Sequence, residues 1–259
     1  MNNSQHVIKM YWTTDVHIEF LSDKKKEMLY EKMVNKTVLI TGDIAVSYAV
    51  IKILHEIESI ASKLYFVLGN HDFYGSSIDD VKSLVSKEFP NSYLTTLEGV
   101  KIGEKLLIGS DGWYDGKIGS YNIATEITDF TVINDFMGLT KAAIFTKMAK
   151  LAEIANKSLI TKLMISLQTY DEIILATHVP PFKENSTYEG AISSNAFLPF
   201  FCNFSLGEIL KETMGRYPDK KLTVLSGHTH DASVFKFKNI LSITKKAEYG
   251  IVSDLKEML

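Results

Sequence analysis

The chain has 259 residues, 46% of them hydrophobic, so it can bury a substantial core. No linker-like stretch interrupts the sequence, so we predict one domain over residues 1–259. Its formal net charge of −3 gives no general attraction to nucleic acid or to anionic membranes, which argues against both as partners and favours a small-molecule substrate. Cys202 is the only cysteine, so intramolecular disulfides are excluded. No leader pattern opens the chain and no run approaches about 18 apolar residues, so we expect a soluble, cytoplasmic protein.

Short β-rich runs alternate with helical patterns through the first third of the chain. They predict three strands and three helices, at 7–12, 37–40 and 64–68 for the strands and near 22–34, 47–62 and 77–88 for the helices. This alternation indicates an α/β fold with buried strands.

The later part of the chain shows three further patterns. Apolar runs predict strands in KLLI, EIILAT and LTVLS, at 105–108, 172–177 and 222–226. Apolar residues recurring at steps of three or four predict a long amphipathic helix over 140–168. The stretches ASVFKF and NILSIT favour an antiparallel hairpin that turns near Lys238 and Asn239.

Polar motifs follow five of the predicted strands. They are Asp15-Val16-His17, Gly42-Asp43, Gly69-Asn70-His71-Asp72, His178 and Gly227-His228-Thr229-His230. Ligands of an open α/β sheet collect outside the carboxyl ends of its strands, so we expect these motifs to converge. Each motif taken singly is compatible with a helix N-cap or a hydrogen-bonded core histidine. Five of them at equivalent strand ends favour one shared site.

This ordered set, D-x-H, G-D, G-N-H-D, H and G-H-x-H, resembles the motifs of the calcineurin-like metallophosphoesterases. The resemblance spans residues 15–230 and implies a four-layer α-β-β-α sandwich of two facing mixed sheets, with two divalent cations at the C-terminal ends of the strands. It implies one cation held by Asp15, His17, Asp43 and His230, and a second held by Asp43, Asn70, His178 and His228. Asp43 would then bridge the two cations.

The residue types of this set favour particular metals. Carboxylate, imidazole and amide donors without thiolate suit Mn, Fe or Zn, and Mn²⁺ or an Fe-containing pair is our leading prediction. Two such cations lower the pKa of a bridging water, so we expect a bridging hydroxide to be the nucleophile. Glycines at 42, 69 and 227 would let the backbone approach the metals closely.

Two residues of the G-N-H-D motif are not expected to bind metal. The resemblance implies that His71 faces the substrate and acts as general acid. Asp72 either orients His71 or bonds to backbone, and the structural role is favoured.

Gly42-Asp43 continues as IAVSY and not as the G-D-x-V-D-R-G of Ser/Thr phosphatases, which argues against a protein phosphatase.

Two stretches are candidates for the substrate site. The loop GSDGWYDG (109–116) is either an aromatic-anchored loop or one that presents Asp111, Trp113, Tyr114 or Asp115 beside the metals. The segment 181–204 is either a lid or substrate wall, with Tyr188 contacting substrate, or core packing, which we favour for Phe197, Phe200 and Phe201.

The resulting functional prediction is hydrolysis of a small phosphomonoester or phosphodiester, with nucleotides and cyclic nucleotides among the candidates. The alternatives are a nuclease like the family's DNA-repair branch and a non-catalytic scaffold with the same fold. The oligomeric state stays open.

Overall fold

A computed structural model describes residues 9–258, so Val7 and Ile8 of the first predicted strand lie outside the described residues. Strands in this range form three sheets. They are β1 (Met10–Thr13), β2 (Thr37–Thr41), β3 (Lys63–Val67), β4 (Val100–Ile102), β5 (Lys105–Gly109), β6 (Glu172–Ala176), β7 (Thr187–Tyr188), β8 (Ala191–Ile192), β9 (Lys221–Ser226), β10 (Ser233–Phe237), β11 (Ile240–Thr244) and β12 (Lys256–Glu257).

Helices fill most of the connections between these strands. They are α1 (Asp23–Met33), α2 (Ala49–Ile60), α3 (Ile78–Glu88), α4 (Asp129–Val132), α5 (Lys141–Ser166), α6 (Leu198–Phe201) and α7 (Phe204–Gly215). None of the helices described between residues 9 and 258 combines the length and apolarity that crossing a bilayer requires.

Two mixed sheets carry the fold. One has the order β12-β1-β2-β3, and the other has the order β10-β11-β9-β6-β5-β4. The inner strands of each sheet pair in parallel, and the strands β12, β10 and β4 join the edges antiparallel. Parallel pairing brings the carboxyl ends of β1, β2 and β3 to one edge, and those of β6 and β9 to one edge of the second sheet.

Alternation along each strand divides the core into layers. In β2, Val38 and Ile40 pack with α1 and α2, whereas Leu39 faces the second sheet. In β6, Ile173 packs with α5 and α7, whereas Ile174 faces the first sheet. Since successive side chains of a strand point to opposite faces, each sheet buries both faces. This arrangement confirms the predicted four-layer α-β-β-α sandwich.

The strongly patterned elements lie where the sequence predicts them. The long helix is α5, and its apolar face covers both helix-side cores through Met148 and Leu163. The hairpin is β10–β11, with Lys238 and Asn239 between the paired residues Phe237 and Ile240. The sequence reading missed α7 and the shorter elements β4, β7, β8, β12, α4 and α6, which are mostly too short to show a period.

Candidate metal centre

The seven predicted ligands lie together although they come from five strand ends in two sheets. All of them are buried except for the half-buried His228 and His230. Backbone hydrogen bonds tie the loops to one another: Asp15 N–H donates to Gly42 O (3.1 Å), and Gly227 N–H donates to His178 O (2.9 Å). The site therefore forms where the two sheets face each other.

The first group of donors is Asp15, His17, Asp43 and His230, with one ligand atom from each lying within 4.8 Å of the others. His17 Nε2 lies 3.0 Å from His230 Nε2 and 3.6 Å from Asp43 Oδ2. His230 Nε2 lies 3.5 Å from Asp15 Oδ1. These nitrogens and carboxylate oxygens surround one point, as ligands of a cation do.

The second group surrounds Asn70. Its Oδ1 lies 3.0 Å from His178 Nε2 and 3.0 Å from His228 Nδ1. Asp43 Oδ1 lies 3.4 Å from His178 Nε2, whereas Oδ2 of the same carboxylate faces His17. The two oxygens of Asp43 therefore face the two groups separately, which is the arrangement a bridging carboxylate needs.

Backbone carbonyls select the ring nitrogens that face the site. His178 Nδ1 lies 2.9 Å from Thr41 O, and His228 Nε2 lies 2.8 Å from Phe200 O. Because a carbonyl oxygen only accepts, these two nitrogens carry the protons and donate. In the neutral imidazoles, Nε2 of His178 and Nδ1 of His228 then direct lone pairs, like those of Asn70 Oδ1, at one shared point, as metal-binding side chains do.

The loops hold five of the seven predicted ligands in the left-handed backbone region. These residues are Asp15, His17, Asp43, His228 and His230, with φ between 40° and 73°. This region costs a non-glycine residue on the order of 1–3 kcal/mol, and such residues cluster at functional sites. The fold sustains this conformation at five positions whose side chains belong to the two donor groups.

Close approach explains two of the motif glycines. A Cβ on Gly69 would lie 2.2 Å from Asp43 Oδ1, and a Cβ on Gly227 would lie 2.2 Å from Asp15 Oδ2. Both distances are far below van der Waals contact. Glycine is thus required at these positions for the two carboxylates to stay where they are.

The charges of the donors are strongly coupled. Burial opposes ionisation of Asp43, but His178, His71 and His17 hold the pKa of its carboxyl well below its usual range. Burial also opposes protonation of His178, yet Asp43 raises the pKa of this imidazole to about 10. Burial and the adjacent His178 lower the pKa of His228 to about 4. A cation that binds His178 must therefore displace a proton, which makes its affinity pH-dependent.

His71 lies at the surface of the site. Its backbone N–H donates to Asp43 Oδ1 (2.9 Å), and its Nε2 lies 4.0 Å from Asp43 Oδ2. The ring stacks on Tyr74 with a centroid distance of 4.1 Å. His71 also groups with His17 and Glu19 at distances compatible with shared ligation. It faces the cleft described below, which is the position a group acting on substrate needs.

Asp72 bonds to backbone. Its Oδ1 accepts from the N–H groups of Ile44 (2.8 Å) and Ala45 (2.9 Å), and its Oδ2 accepts from Gly69 N–H (2.8 Å). The carboxylate joins the loop after β2 to the loop after β3, in line with the favoured structural role.

The 109–116 loop is anchored in the core. Trp113 is only 4% exposed and stacks near Phe136, and Tyr114 is fully buried with its ring 5.8 Å from that of His228. Asp111 accepts from Leu68 N–H (2.8 Å) and Tyr93 Oη (2.5 Å). The aromatic-anchored alternative fits this placement, because neither Trp113 nor Tyr114 offers surface to a substrate.

The 181–204 segment is divided between core and cleft. Phe200 is fully buried, as the packing interpretation expects, but Phe197 is 42% exposed and Phe201 is half-buried. Tyr188 is 61% exposed and borders the predicted metal ligands. Packing is thus the wrong description for Phe197, and Tyr188 lies where a substrate contact was predicted.

A cleft of about 250 Å³ opens onto both donor groups. It is lined by Asp43, Asn70, His71, Tyr74, Ile127, Thr128, Asp129, Tyr188, Phe201, His228, Thr229, His230 and Tyr249. Both donor groups are therefore accessible from solvent through this cleft.

Sequence reasoning missed Asp129 and Tyr249. Asp129 accepts from Asn70 Nδ2 (3.1 Å), Tyr74 Oη (2.6 Å) and Tyr114 Oη (2.6 Å), and so turns the oxygen of the Asn70 amide toward the histidines. The Tyr249 ring lies 4.7 Å from that of His17. Neither residue follows a predicted strand, so no local signal marked them.

Comparisons with known proteins agree with this architecture. The model of the calcineurin-like phosphoesterase family matches residues 8–232. The chain is 26% identical over 261 residues to uncharacterized protein L509 of Acanthamoeba polyphaga mimivirus, covering 92% of this chain and 90% of that protein.

Two solved structures share the fold. Phosphopantetheinyl hydrolase (PptH) from Mycobacterium tuberculosis superposes with a TM-score of 0.68 at 12% identity, covering 97% of this chain and 95% of that one. A dimetal phosphatase from Danio rerio superposes with a TM-score of 0.54 at 14% identity, covering 95% and 88%. At these identities the likeness concerns the fold alone.

Proposed function

The chain belongs to the calcineurin-like phosphoesterase family, and we propose that it is a metal-dependent hydrolase of a small phosphomonoester or phosphodiester. The observation that supports this proposal most strongly is the position of Asp43, whose two carboxylate oxygens face two separate groups of nitrogen and oxygen donors. The proposal includes a cytoplasmic location and a single domain.

The donors fit two divalent cations. Asp15, His17, Asp43 and His230 would hold one, and Asp43, Asn70, His178 and His228 would hold the other. The set contains no thiolate, so Mn or Fe is preferred, with Zn as the third option. When bound, such a pair orients a phosphoryl group, neutralises charge on its oxygens and activates water.

The chain's own residues supply the remaining functions. Asp129 holds the Asn70 amide in its orientation through Nδ2. His71 is held by its backbone bond to Asp43 and by stacking on Tyr74, with its side chain 17% exposed in the cleft. From this position we assign it the delivery of a proton to the leaving oxygen of the ester, a role worth about 10²–10⁴-fold in rate.

Metal analysis and a substrate panel test the proposal. Protein purified without added metal is analysed for bound metal, stripped, and reloaded with Mn²⁺, Fe²⁺ or Zn²⁺ before assay on phosphomonoesters, phosphodiesters and nucleotides. We expect about two metals per chain and hydrolysis that depends on them. Asp43→Asn is the matched inactive control.

Two outcomes contradict the proposal. Cleavage of single-stranded DNA at low salt without hydrolysis of small esters would indicate the nuclease. Metal loading without hydrolysis of any ester would indicate a non-catalytic scaffold.

A further inference from the structure

An apolar groove continues the cleft away from the metal ligands. It has a volume of about 390 Å³ and is lined by Tyr188, Ile192, Ser193, Ser194, Phe197 and Phe201. Tyr188 and Phe201 line the cleft as well as the groove. A molecule whose phosphate lies at the donor groups can therefore extend directly into the groove.

The groove displays apolar side chains at the surface. Ile192 is 50% exposed, and Phe197 stacks on Phe201 with a centroid distance of 5.6 Å. Large apolar side chains gathered beside a functional cleft mark a binding surface. The stacked pair presents aromatic surface on which another ring can pack.

The groove wall is attached to the metal centre. The hairpin β7–β8 is anchored at its turn, where Gly190 N–H donates to Asp231 Oδ2 (2.9 Å), and Asp231 directly follows the predicted ligand His230. Helix α6 supplies Phe201, and its Phe200 carbonyl accepts from His228 Nε2 (2.8 Å). The wall and the donors are thus positioned by the same contacts.

The polar groups of the cleft and groove restrict the ligand further. Among the described residues that line them, Asp43 and Asp129 are the acidic ones and none is Lys or Arg. A second phosphate in the groove would meet no side-chain cation, which argues against polyphosphates.

We propose that the groove binds the alcohol portion of the substrate, and that this alcohol is uncharged and carries an apolar ring. The assignment rests on the proposed function, since it takes the phosphate to lie at the donor groups. It narrows the substrate class to monophosphate esters of ring-bearing alcohols.

The test compares 2-phenylethyl phosphate with ethyl phosphate in the metal-loaded protein. Burial of the ring is expected to raise kcat/KM about 10- to 100-fold for the phenyl ester. Phe197→Ala and Ile192→Ser should reduce this ratio about 3-fold or more, mainly through KM, because they remove apolar wall. Ile165→Ser, which changes an isoleucine 61% exposed on α5, is the matched control and should leave the ratio unchanged.

The outcomes separate this assignment from the proposed function. Hydrolysis of both esters with equal kcat/KM, or a ratio that both groove variants leave unchanged, would overturn the groove assignment alone. Absence of hydrolysis of every ester tested would overturn the proposed function and the groove assignment with it.

Discussion

Gly227→Ala tests the geometry of the metal centre through one added methyl group. The new Cβ would lie 2.0 Å from Thr14 Oγ1 and 2.2 Å from Asp15 Oδ2, whereas ordinary contact begins at 3.4 Å. Asp15 Oδ2 must therefore move by about 1.2 Å, which is 3.4 Å minus 2.2 Å. Metal–ligand distances are held to within about 0.2 Å, so this shift removes Asp15 as a ligand.

The neighbouring contacts prevent an easy adjustment. Thr14 Oγ1 donates to Thr41 O (3.1 Å), and Asp15 Oδ1 accepts from His228 N–H (2.9 Å). Such overpacking costs about 1–3 kcal/mol of unfolding free energy. We expect metal affinity of the group containing Asp15 to fall at least about 10-fold, because even an indirect disturbance of a ligand has that effect.

The assay is metal titration of the stripped protein, followed by urea unfolding of the metal-free form. Gly215→Ala is the matched control, because a Cβ on Gly215, at the end of α7, meets no atom within 4 Å. It should leave metal binding unchanged and alter stability by less than about 1 kcal/mol. Wild-type affinity for two metals in Gly227→Ala would refute the placement of Asp15 as a ligand.

Three further predictions follow from single side chains. Asp43→Asn should lower occupancy of both metal sites and hydrolysis together, since its two oxygens face both groups; two tightly bound metals with full activity would contradict the bridge. His71→Ala should keep both metals and lose much more kcat/KM on alkyl phosphates than on nitrophenyl phosphates, whose leaving oxygen needs little protonation; an equal loss would instead indicate charge stabilisation. Lys162 donates to three backbone carbonyls (2.8–3.1 Å), so Lys162→Met should lower the unfolding free energy by about 1–3 kcal/mol. Burial lowers the pKa of Lys162 in the folded protein below the value of about 10.4 for lysine in an unfolded chain. The unfolding free energy of the wild type should therefore rise relative to that of this variant as the pH increases between these two pKa values. A difference in urea midpoints that does not change with pH would exclude this.

The site residues were predictable where a polar side chain follows shortly after the end of a strand. Asp15, Asp43 and His178 each come two residues after the end of a strand, and the carboxyl ends of parallel strands meet at one edge. Their residue types, carboxylate and imidazole, already indicated metal ligands. The prediction of two facing sheets came from the motif resemblance and is confirmed by the shared core between them. That β1 and β6 lie in different sheets came from the structure.

Aromatic residues were predicted less well. Trp113 and Phe197 look alike in sequence, since each lies in a loop rich in small and polar residues. Trp113 is 4% exposed because Phe73 and Phe136 pack against its ring, whereas Phe197 is 42% exposed and lines the groove. Burial of a loop side chain depends on which distant segments cover it, and a local pattern does not contain that information.

The sequence by itself determined the longer strands, the long helix and the donor types, because periodicity and strand-end turns are local properties of the chain. Only the tertiary structure decided how the donors are oriented. The proton on His228 is directed by Phe200 O, 28 residues away, and the Asn70 amide is turned by Asp129, 59 residues away. These partners come from segments without a strand-end motif, and they meet the ligands only because the two sheets pack face to face and the connecting segments fold over their shared edge.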